Sequence, residues 1–550
     1  MMGAYFISIN NFFRANRSLA AFAGMFALIG IGDVLAFELS RLEWFMQFLR
    51  PVTQVFAPFS TDLSFAPEVW LGILALVLGT LIVTITIAAQ AVPRLIDLFM
   101  DDWLSLYYAW FLIFCSAHAI FLNKIPTERT SSIVFNNFFL MPISILAAFP
   151  YIYYVLGRTK PATIISVIVR DNLRLIANLT KPANHQWLQM SGQIERMQLE
   201  LLEFVNQLDG VSHFVSFKEA KAQIIMKMTE LVSTYLHLKN ELPSELFRIT
   251  QTVRSDIAFQ TLGLAQFTEL EETKTFYEQK CFRVLADIYN GLLQDSAFDL
   301  ASMCGSEMRN IGRAAIETEQ TNVLNMMLMR FNTMMRFAIK HAVANDEARN
   351  LYNLTYHYRT FIEDLARANK VETLKQAIFY QRFYGSEIFR HSKAHPPLYF
   401  INDVFTAEMK RILILINELG WDLAIQRHVL LELLEMDNPG GGIATEDKTF
   451  HAGVRTLQSG LALFYLEREV HPLVDLIVAD IAQELRGYDV QKSNKIINDI
   501  CTRLEMARPT FWEDTDRGNV NIYFSPYKQH IPRFRELLTD SLRPAIPDDL

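Results

Sequence analysis

The stretch VWLGILALVLGTLIVTITIAAQAV (residues 69–92) contains no charged side chain. A helix needs about 20 apolar residues to cross the hydrocarbon core of a bilayer, so this stretch is long enough to span a membrane. Three other stretches, residues 18–37, 103–122 and 133–156, are similarly apolar, and Asp33 is their only charged residue. Buried helices of a soluble protein are the alternative, but four such stretches favour a transmembrane domain over residues 1–160.

Residues 161–550 have the apolar spacing of amphipathic helices almost throughout, as in SGQIERMQLELLEFVNQL (residues 191–208). The segment NIYF (residues 521–524) is the only strand candidate. The predicted fold is therefore all-α. It consists of a four-helix transmembrane domain followed by a large α-helical soluble domain, either a stack of helical hairpins or a bundle.

Two stretches of the soluble region, residues 361–385 and 462–485, each contain an apolar helix, a short polar turn and a second amphipathic helix. They predict helical hairpins, although no fixed repeat period emerges. The segment NPGGG (residues 438–442) is typical of a loop. It predicts a boundary between a helical domain at residues 161–437 and a C-terminal helical subdomain at residues 443–550.

The charge balance and the motifs limit the classes of function. Residues 1–160 carry equal numbers of basic and acidic side chains, so the formal net charge of −8 arises from the rest of the chain. An acidic region binds nucleic acid poorly, because that binding requires clustered cations. The sequence has no phosphate-binding loop, nucleophile motif or metal-ligand spacing. We therefore expect no nucleic-acid partner, no cofactor and no metal, and nothing in the sequence supports an enzyme.

The basic residues and cysteines predict the orientation in the membrane. Four spans place both termini on one side, and that side carries five Lys and Arg residues against four on the other. This weak bias follows the positive-inside rule. The four cysteines form no Cys-x-x-Cys pair, which is typical of free thiols in a reducing compartment. We expect both termini and the large helical domain to be cytoplasmic.

Four polar residues in the predicted spans fall at one depth. Asp33 and His118 lie four residues before the outer ends of their spans, and Asn136 and Asn137 lie three and four residues after the outer end of theirs. All four are therefore about 5–6 Å inside the outer boundary. A carboxylate there normally has a partner or a wet cavity. We expect an Asp33–His118 pair that lines a polar pocket or pore mouth with the asparagines. The alternative is that each side chain reaches the headgroup water independently.

One face of the second span carries small and polar side chains. Gly79, Val83, Thr86 and Gln90 recur at steps of three or four residues, so they share a helical face. Such a face suits either close helix packing or a water-filled path.

Three aspartates follow this span. Asp97 and Asp101 are four residues apart, and Asp102 is the next residue. In a symmetric oligomer they would form an acidic ring at the inner mouth of a pore and attract cations. In a monomer they would be an ordinary solvated face.

The segment ITIAAQAVPRLIDLFMDDWLSLYYAWFLIFCSAHAIF (residues 85–121) resembles an uncharacterised family of predicted four-span bacterial membrane proteins. Its members share a span that ends in Gln and Pro-Arg, a short helix that bears Asp, and another span. The resemblance covers mainly residues 20–160, and the family's Asn-Asp-Pro element is missing around residues 297–322. It implies a multi-pass protein of the bacterial inner (plasma) membrane and implies no activity.

Two functions fit these observations. The first is a homo-oligomeric ion channel or pore whose cytoplasmic helical domain assembles and gates it. Because four helices leave little room for a path within one chain, several subunits would surround it. The second is a membrane-anchored helical scaffold or sensor that binds a protein partner and transports nothing. In both, the lipid bilayer is a partner.

Overall fold

The computed structural model describes residues 17–41, 47, 66–91, 102–124, 130–158, 160–188, 190, 192–215, 217–437, 451–510 and 521–543. Over these residues the chain is helical and has no β-strand, which confirms the all-α prediction. The chain divides into two compact units. The first comprises residues 1–168 and 207–220, and the second comprises residues 169–206 and 221–550.

The first unit contains the apolar helices. They are α1 (Arg17–Ser40), α2 (Ala66–Ala91), α3 (Trp103–Lys124), α4 (Thr130–Val134), a π-helical turn (Phe135–Leu140) and α5 (Met141–Arg158). Helix α3 packs against α1 and α2, and α2 also packs against α5. Apolar side chains cover outward-facing surfaces as well: Ile31, Leu146 and Phe149 are each more than 60% exposed. A helix that is apolar all round suits a lipid environment.

Three helices in the described part of this unit are long and apolar enough to cross a membrane. They cover Ser18–Leu39, Trp103–Lys124 and Ser131–Gly157. The second predicted span, residues 69–92, falls on α2, whose apolar stretch Pro67–Val83 is shorter than the other three. The prediction of apolar, span-length helices near the N-terminus is therefore confirmed for three of the four stretches.

The remaining helices follow in chain order, and α6, α8 and α9 contribute residues to both units. They are α6 (Pro161–Leu179), α7 (Pro182–Leu188), α8 (Gln193–Phe214), α9 (Lys218–Leu238), α10 (Gln251–Ser255), α11 (Leu264–Thr273), α12 (Phe276–Gln294), α13 (Phe298–Glu317), α14 (Thr321–Asn345), α15 (Arg349–Arg367), α16 (Val371–Ser392), α17 (Pro397–Glu418), α18 (Leu423–Leu434), α19 (Ala452–Glu467), α20 (His471–Leu485), α21 (Val490–Met506) and α22 (Ile531–Leu542). Short 3₁₀-helices cover Lys239–Glu241, Ser244–Phe247 and Lys528–His530.

From α12 onward the helices stack as hairpins. Each helix packs on its successor or on the helix after that, as in α13 on α15, α15 on α17 and α17 on α19. Both predicted hairpins are confirmed. In the first, α15 ends at Arg367 and α16 begins at Val371; in the second, α19 ends at Glu467 and α20 begins at His471. Helix α19 packs on α17 within one compact unit, and the predicted boundary at residues 438–442 lies outside the described residues.

A recurring turn joins these helices. Its central residue adopts the left-handed conformation, with φ between 54° and 56° at Ser296, Glu319, Asn369 and Glu469. The next residue donates its N–H to a carbonyl five positions earlier: Val470 N lies 2.9 Å from Tyr465 O, and Lys370 N lies 2.9 Å from Leu365 O. This is the Schellman helix end, which satisfies a terminal carbonyl group.

The strand candidate NIYF is wrong. Residues 521–524 form a turn, in which the N–H of Phe524 donates to Asn521 O at 3.1 Å. The side-chain oxygen of Asn521 accepts from the N–H of Tyr523 at 3.0 Å. An asparagine side chain that accepts a hydrogen bond from the backbone N–H two residues ahead stabilises a turn. The described residues also contain no strand with which this segment could pair.

Candidate functional site

The structure brings three of the predicted polar residues together among the apolar helices. Asp33 of α1 and His118 of α3 approach to 3.7 Å between Asp33 Oδ1 and His118 Nε2. The other ring nitrogen, His118 Nδ1, lies 3.0 Å from the side-chain nitrogen of Asn136. A fourth residue, Trp70, completes this group. We call Asp33, His118, Asn136 and Trp70 the polar cluster.

Trp70 of α2 links a further helix to the polar cluster. Its indole N–H donates to Asn136 Oδ1 at 2.7 Å, and Asn136 Nδ2 donates to the carbonyl oxygen of Cys115 at 3.2 Å. Trp70 is fully buried and Asn136 is 1% exposed. Trp70 is not recognisable from the sequence, because a tryptophan in an apolar stretch gives no sign of which acceptor its N–H will meet.

The π-helical turn positions Asn136. A π-helical turn accommodates an extra residue in a helix, is rare, and occurs frequently at functional sites. Here it covers Phe135–Leu140 and separates α4 from α5. Gly32, which precedes Asp33, allows this turn to approach α1 closely, because a Cβ at Gly32 would lie 2.7 Å from Phe135 Cζ. Both features bring Asn136 near Asp33 and His118.

Burial makes the polar cluster costly to form. The side chain of Asp33 is 21% exposed and that of His118 is 14% exposed. Oxygen Oδ1 of Asp33 is buried and has no hydrogen bond from the described residues, since 3.7 Å exceeds hydrogen-bond range. The cluster therefore contains a buried acceptor, Asp33 Oδ1, that accepts no hydrogen bond from the described residues.

The other polar candidates in the spans lie apart from the cluster. Asn137 is half-buried next to Asn136, and its side chain makes no hydrogen bond with the described residues. On α2, Gly79, Val83 and Thr86 face outward, and the Thr86 hydroxyl donates to the carbonyl oxygen of Ile82 at 2.7 Å. Gln90 lies on the last turn of α2.

Of the three aspartates predicted to form a ring, Asp97 and Asp101 lie outside the described residues. Asp102 caps the N-terminus of α3: its Oδ2 accepts from Ser105 N at 3.1 Å and from Ser105 Oγ at 2.8 Å. Its Oδ1 accepts from the Tyr154 hydroxyl at 2.8 Å. Both oxygens of Asp102 are thus engaged within the chain, as a helix cap and a link to α5.

A second group of ionisable residues, which the sequence analysis did not identify, is buried in the second unit. Asp403 of α17 accepts a hydrogen bond from the Tyr523 hydroxyl at 2.7 Å. His451, at the start of α19, places Nδ1 3.4 Å from Asp403 Oδ1, and the ring of Tyr399 stacks on the imidazole. A Cβ at Gly453 would lie 2.2 Å from the Asp403 oxygens, so glycine allows this close approach.

Burial changes the protonation behaviour of this group. It raises the pKa of Asp403 to about 7, although the hydrogen bond from Tyr523 and the charge of Arg503 act in the opposite direction. Burial lowers the pKa of His451 to about 4. Nδ1 of His451 accepts the N–H of Val454 at 3.3 Å and caps α19, which also favours the neutral ring.

Arg455 is surrounded by carboxylates. Its guanidinium is 8% exposed and pairs with Asp437 at 3.1 Å, with Glu484 at 2.7 Å and with Asp480. Burial raises the pKa of Asp437 to about 7 even though Arg455 lowers it. The three carboxylates raise the pKa of Arg455 against the opposing effect of its burial.

The described residues provide no group of three His, Cys, Asp or Glu side chains placed to hold a metal ion. The four cysteines are free, as the sequence predicted, and the structure shows that all four are buried. Burial raises the pKa of the Cys281 and Cys304 thiols, so these thiols are not activated nucleophiles.

Comparison of the chain with family models and with curated protein sequences gave no match. The resemblance of residues 20–160 to a family of predicted four-span membrane proteins therefore stays a prediction.

Proposed function

We propose that this protein is a homo-oligomeric ion channel of the bacterial inner membrane. In this proposal α1, α2, α3 and the α4–α5 segment cross the bilayer, and both termini and the helical region that follows are cytoplasmic. That helical region would assemble and gate the pore. The observation that carries the proposal is the polar cluster, in which a carboxylate and an imidazole meet among span-length apolar helices.

The cost of the polar cluster supports a functional role. Ionisable side chains within spanning helices are rare and costly to insert, so such residues mark ion or proton pathways by default. An isolated structural hydrogen bond between helices could use uncharged side chains at lower cost. The buried Oδ1 of Asp33 without a hydrogen bond points the same way.

The outward face of α2 supports contact between subunits. A Cβ at Gly79 would meet no atom within 4 Å among the described residues, so Gly79 serves no packing contact there. Small residues allow helices of different subunits to approach closely. The cavity between α2 and α5 is lined mainly by apolar side chains, including Val77, Leu81 and Val155, and offers an ion little coordination.

Oligomeric state and conductance test the proposal. The full-length protein in nanodiscs should have the mass of four or more subunits by mass photometry, and reconstituted bilayers should show single-channel currents. Asp33→Asn should change the unitary conductance or ion selectivity. The matched control is Glu38→Gln, on the same helix, because Glu38 is exposed and pairs with Arg41 rather than with the cluster. A monomer without currents would contradict the channel.

The alternative is a membrane-anchored scaffold that binds a protein partner. The second unit offers an exposed apolar surface, where Phe379 and Phe383 lie one turn apart on α16 and Tyr380 contacts Met329 of α14. For a scaffold, Asp33→Asn should alter only stability, and Phe383→Ser should abolish recovery of a specific partner. For a channel, Asp33→Asn should change the currents, and Phe383→Ser should have little effect on function.

A further inference from the structure

We infer that Asn136 and Trp70 hold His118 in the neutral form that carries its proton on Nε2, so that the polar cluster bears the single negative charge of Asp33 and binds an inorganic monovalent cation. This inference rests on the proposed channel function and names the ion class for its site. It assigns Trp70 and Asn136 as positioning residues.

The orientation of the Asn136 amide follows from two partners with fixed roles. The indole Nε1–H of Trp70 can only donate, so the atom of Asn136 that faces it at 2.7 Å must be the oxygen. The carbonyl oxygen of Cys115 can only accept, so the atom that faces it at 3.2 Å must be the nitrogen. Both constraints select the same orientation.

This orientation determines which nitrogen of His118 is protonated. Asn136 Nδ2 carries only donor hydrogens, and it lies 3.0 Å from His118 Nδ1. Nδ1 must therefore accept, which places the proton of a neutral ring on Nε2. A doubly protonated ring would set the Nδ1–H against the amide hydrogens of Asn136 and break that contact.

The tautomer sets the charge of the site. With His118 neutral, its Nε2 lies 3.7 Å from Asp33 Oδ1 but carries no net charge, so the carboxylate charge is uncompensated. A charged imidazolium would instead give a neutral ion pair. Oδ1 of Asp33 accepts no hydrogen bond from the described residues, so it keeps its lone pairs for a cation, and 21% of the Asp33 side chain is exposed. The cluster carries one negative charge, which a single monovalent ion balances, whereas Ca²⁺ sites combine several carboxylate and carbonyl ligands.

Nitrogen-15 NMR of the full-length protein in nanodiscs, labelled at histidine, tests the tautomer without requiring current. The His118 signal is assigned by its loss in His118→Gln. We expect the Nε2–H tautomer to exceed the Nδ1–H tautomer by about tenfold at neutral pH, the effect of one hydrogen bond. A predominant Nδ1–H tautomer or an imidazolium in the parent protein would overturn the inference.

Two variants test the positioning residues. Asn136→Asp replaces the amide donor by a carboxylate acceptor, so Nδ1 should become protonated, either in the Nδ1–H tautomer or in an imidazolium between two carboxylates. Trp70→Phe removes the indole donor and should reduce the tautomer ratio severalfold. Trp110→Phe is the matched control, because the Trp110 indole N–H bonds Ser18 Oγ at 3.3 Å, outside the cluster. An unchanged ratio in a folded Asn136→Asp protein would also overturn the inference.

A titration separates this inference from the channel itself. Replacing N-methylglucamine by K⁺ or Na⁺ should shift the His118 signal in the parent protein and not in Asp33→Asn. If the His118 signal of the parent protein responds to K⁺ but the protein carries no current, the cation site stands and the channel proposal is wrong. If the protein conducts but its His118 signal does not respond to K⁺ or Na⁺, the channel proposal stands and the cation site is wrong.

Discussion

At the scale of single residues, Asp403 and His451 illustrate how burial sets protonation in the second unit. Both side chains are at most 5% exposed, and they face each other at 3.4 Å. Burial disfavours the charged form of each, so the pKa values move in opposite directions. The consequence is a carboxyl group that stays protonated to near neutral pH beside an imidazole that stays neutral.

Asp403 should make stability decrease as pH rises from about 4 to about 7. The folded protein holds the Asp403 proton up to about pH 7, whereas the unfolded chain releases it near the ordinary pKa of 3.8. Stability falls where the folded state binds more protons, and this contribution is constant above pH 7. Asp403→Asn removes it, so the variant should be more stable than the parent at pH 8 by a few kcal/mol.

Unfolding by denaturant at pH 4, 6 and 8 measures this difference. His451 contributes a slope of opposite sign between about pH 4 and its ordinary 6.5, because its folded pKa is lowered. Comparing the variant with the parent at each pH cancels that slope. A stability difference that does not change with pH would contradict a raised pKa of Asp403.

Arg455 should be far more important for stability than an exposed arginine. Arg455→Met leaves Asp437, Asp480 and Glu484 close together without their cation. Removing one partner of a buried ion pair costs about 3–5 kcal/mol. The control is Arg468→Met, because Arg468 is about half exposed and lies 3.9 Å from Glu418; it should cost less than about 1 kcal/mol. Equal losses in chemical unfolding would disprove the prediction.

At the scale of the elements, the hairpin stack repeats its geometry without repeating its sequence. The left-handed positions of the described turns in the stack are occupied by serine, glutamate, aspartate and asparagine, and by glycine at Gly420 alone. Glycine is the usual residue at a Schellman helix end, and it is the signal that sequence reading relies on. The stack therefore has no recurring sequence motif. The two hairpins at residues 361–385 and 462–485 can nevertheless be predicted from their hydrophobic spacing.

Glycine at such a position should stabilise the second unit. Glu469 is exposed and has a φ of 56°, a conformation that costs an L-residue about 1–2 kcal/mol. Glycine avoids this cost but loses about 0.5–1 kcal/mol of chain entropy. Glu469→Gly should therefore raise the free energy of unfolding by up to about 1.5 kcal/mol.

The neighbouring residue provides the control for this substitution. Arg468 has a φ of −90°, so Arg468→Gly relieves no strain and should lower the free energy of unfolding. Chemical unfolding of both variants in the full chain gives the comparison. A loss of stability in Glu469→Gly similar to that in Arg468→Gly would show that the left-handed turn carries no strain.

At the scale of the whole molecule, the two units differ in what their surfaces expose. Helices of the first unit expose Phe26, Ile31 and Phe149 by more than 60%. The second unit buries most of its apolar side chains between stacked helices and pairs many of its buried charges. An apolar exterior on span-length helices is stable in lipid and unstable in water.

The full-length protein should therefore stay with membranes under conditions that release peripheral proteins. After expression, the membrane fraction is washed with alkaline carbonate, and the protein should remain in the pellet until detergent is added. A peripheral membrane protein in the same preparation serves as the control. Recovery of the protein in the carbonate supernatant would contradict a membrane-spanning first unit.

The sequence by itself determined the helical class and the apolar segments near the N-terminus, and it predicted that Asp33 and His118 approach each other. These properties depend on hydrophobicity and on spacing along a helix, which are local. Only the tertiary structure decided that Trp70 orients Asn136, that Asp403 meets His451 and Tyr523, and that glutamate occupies left-handed turns. Such contacts join residues far apart in the chain, and packing between helices selects them.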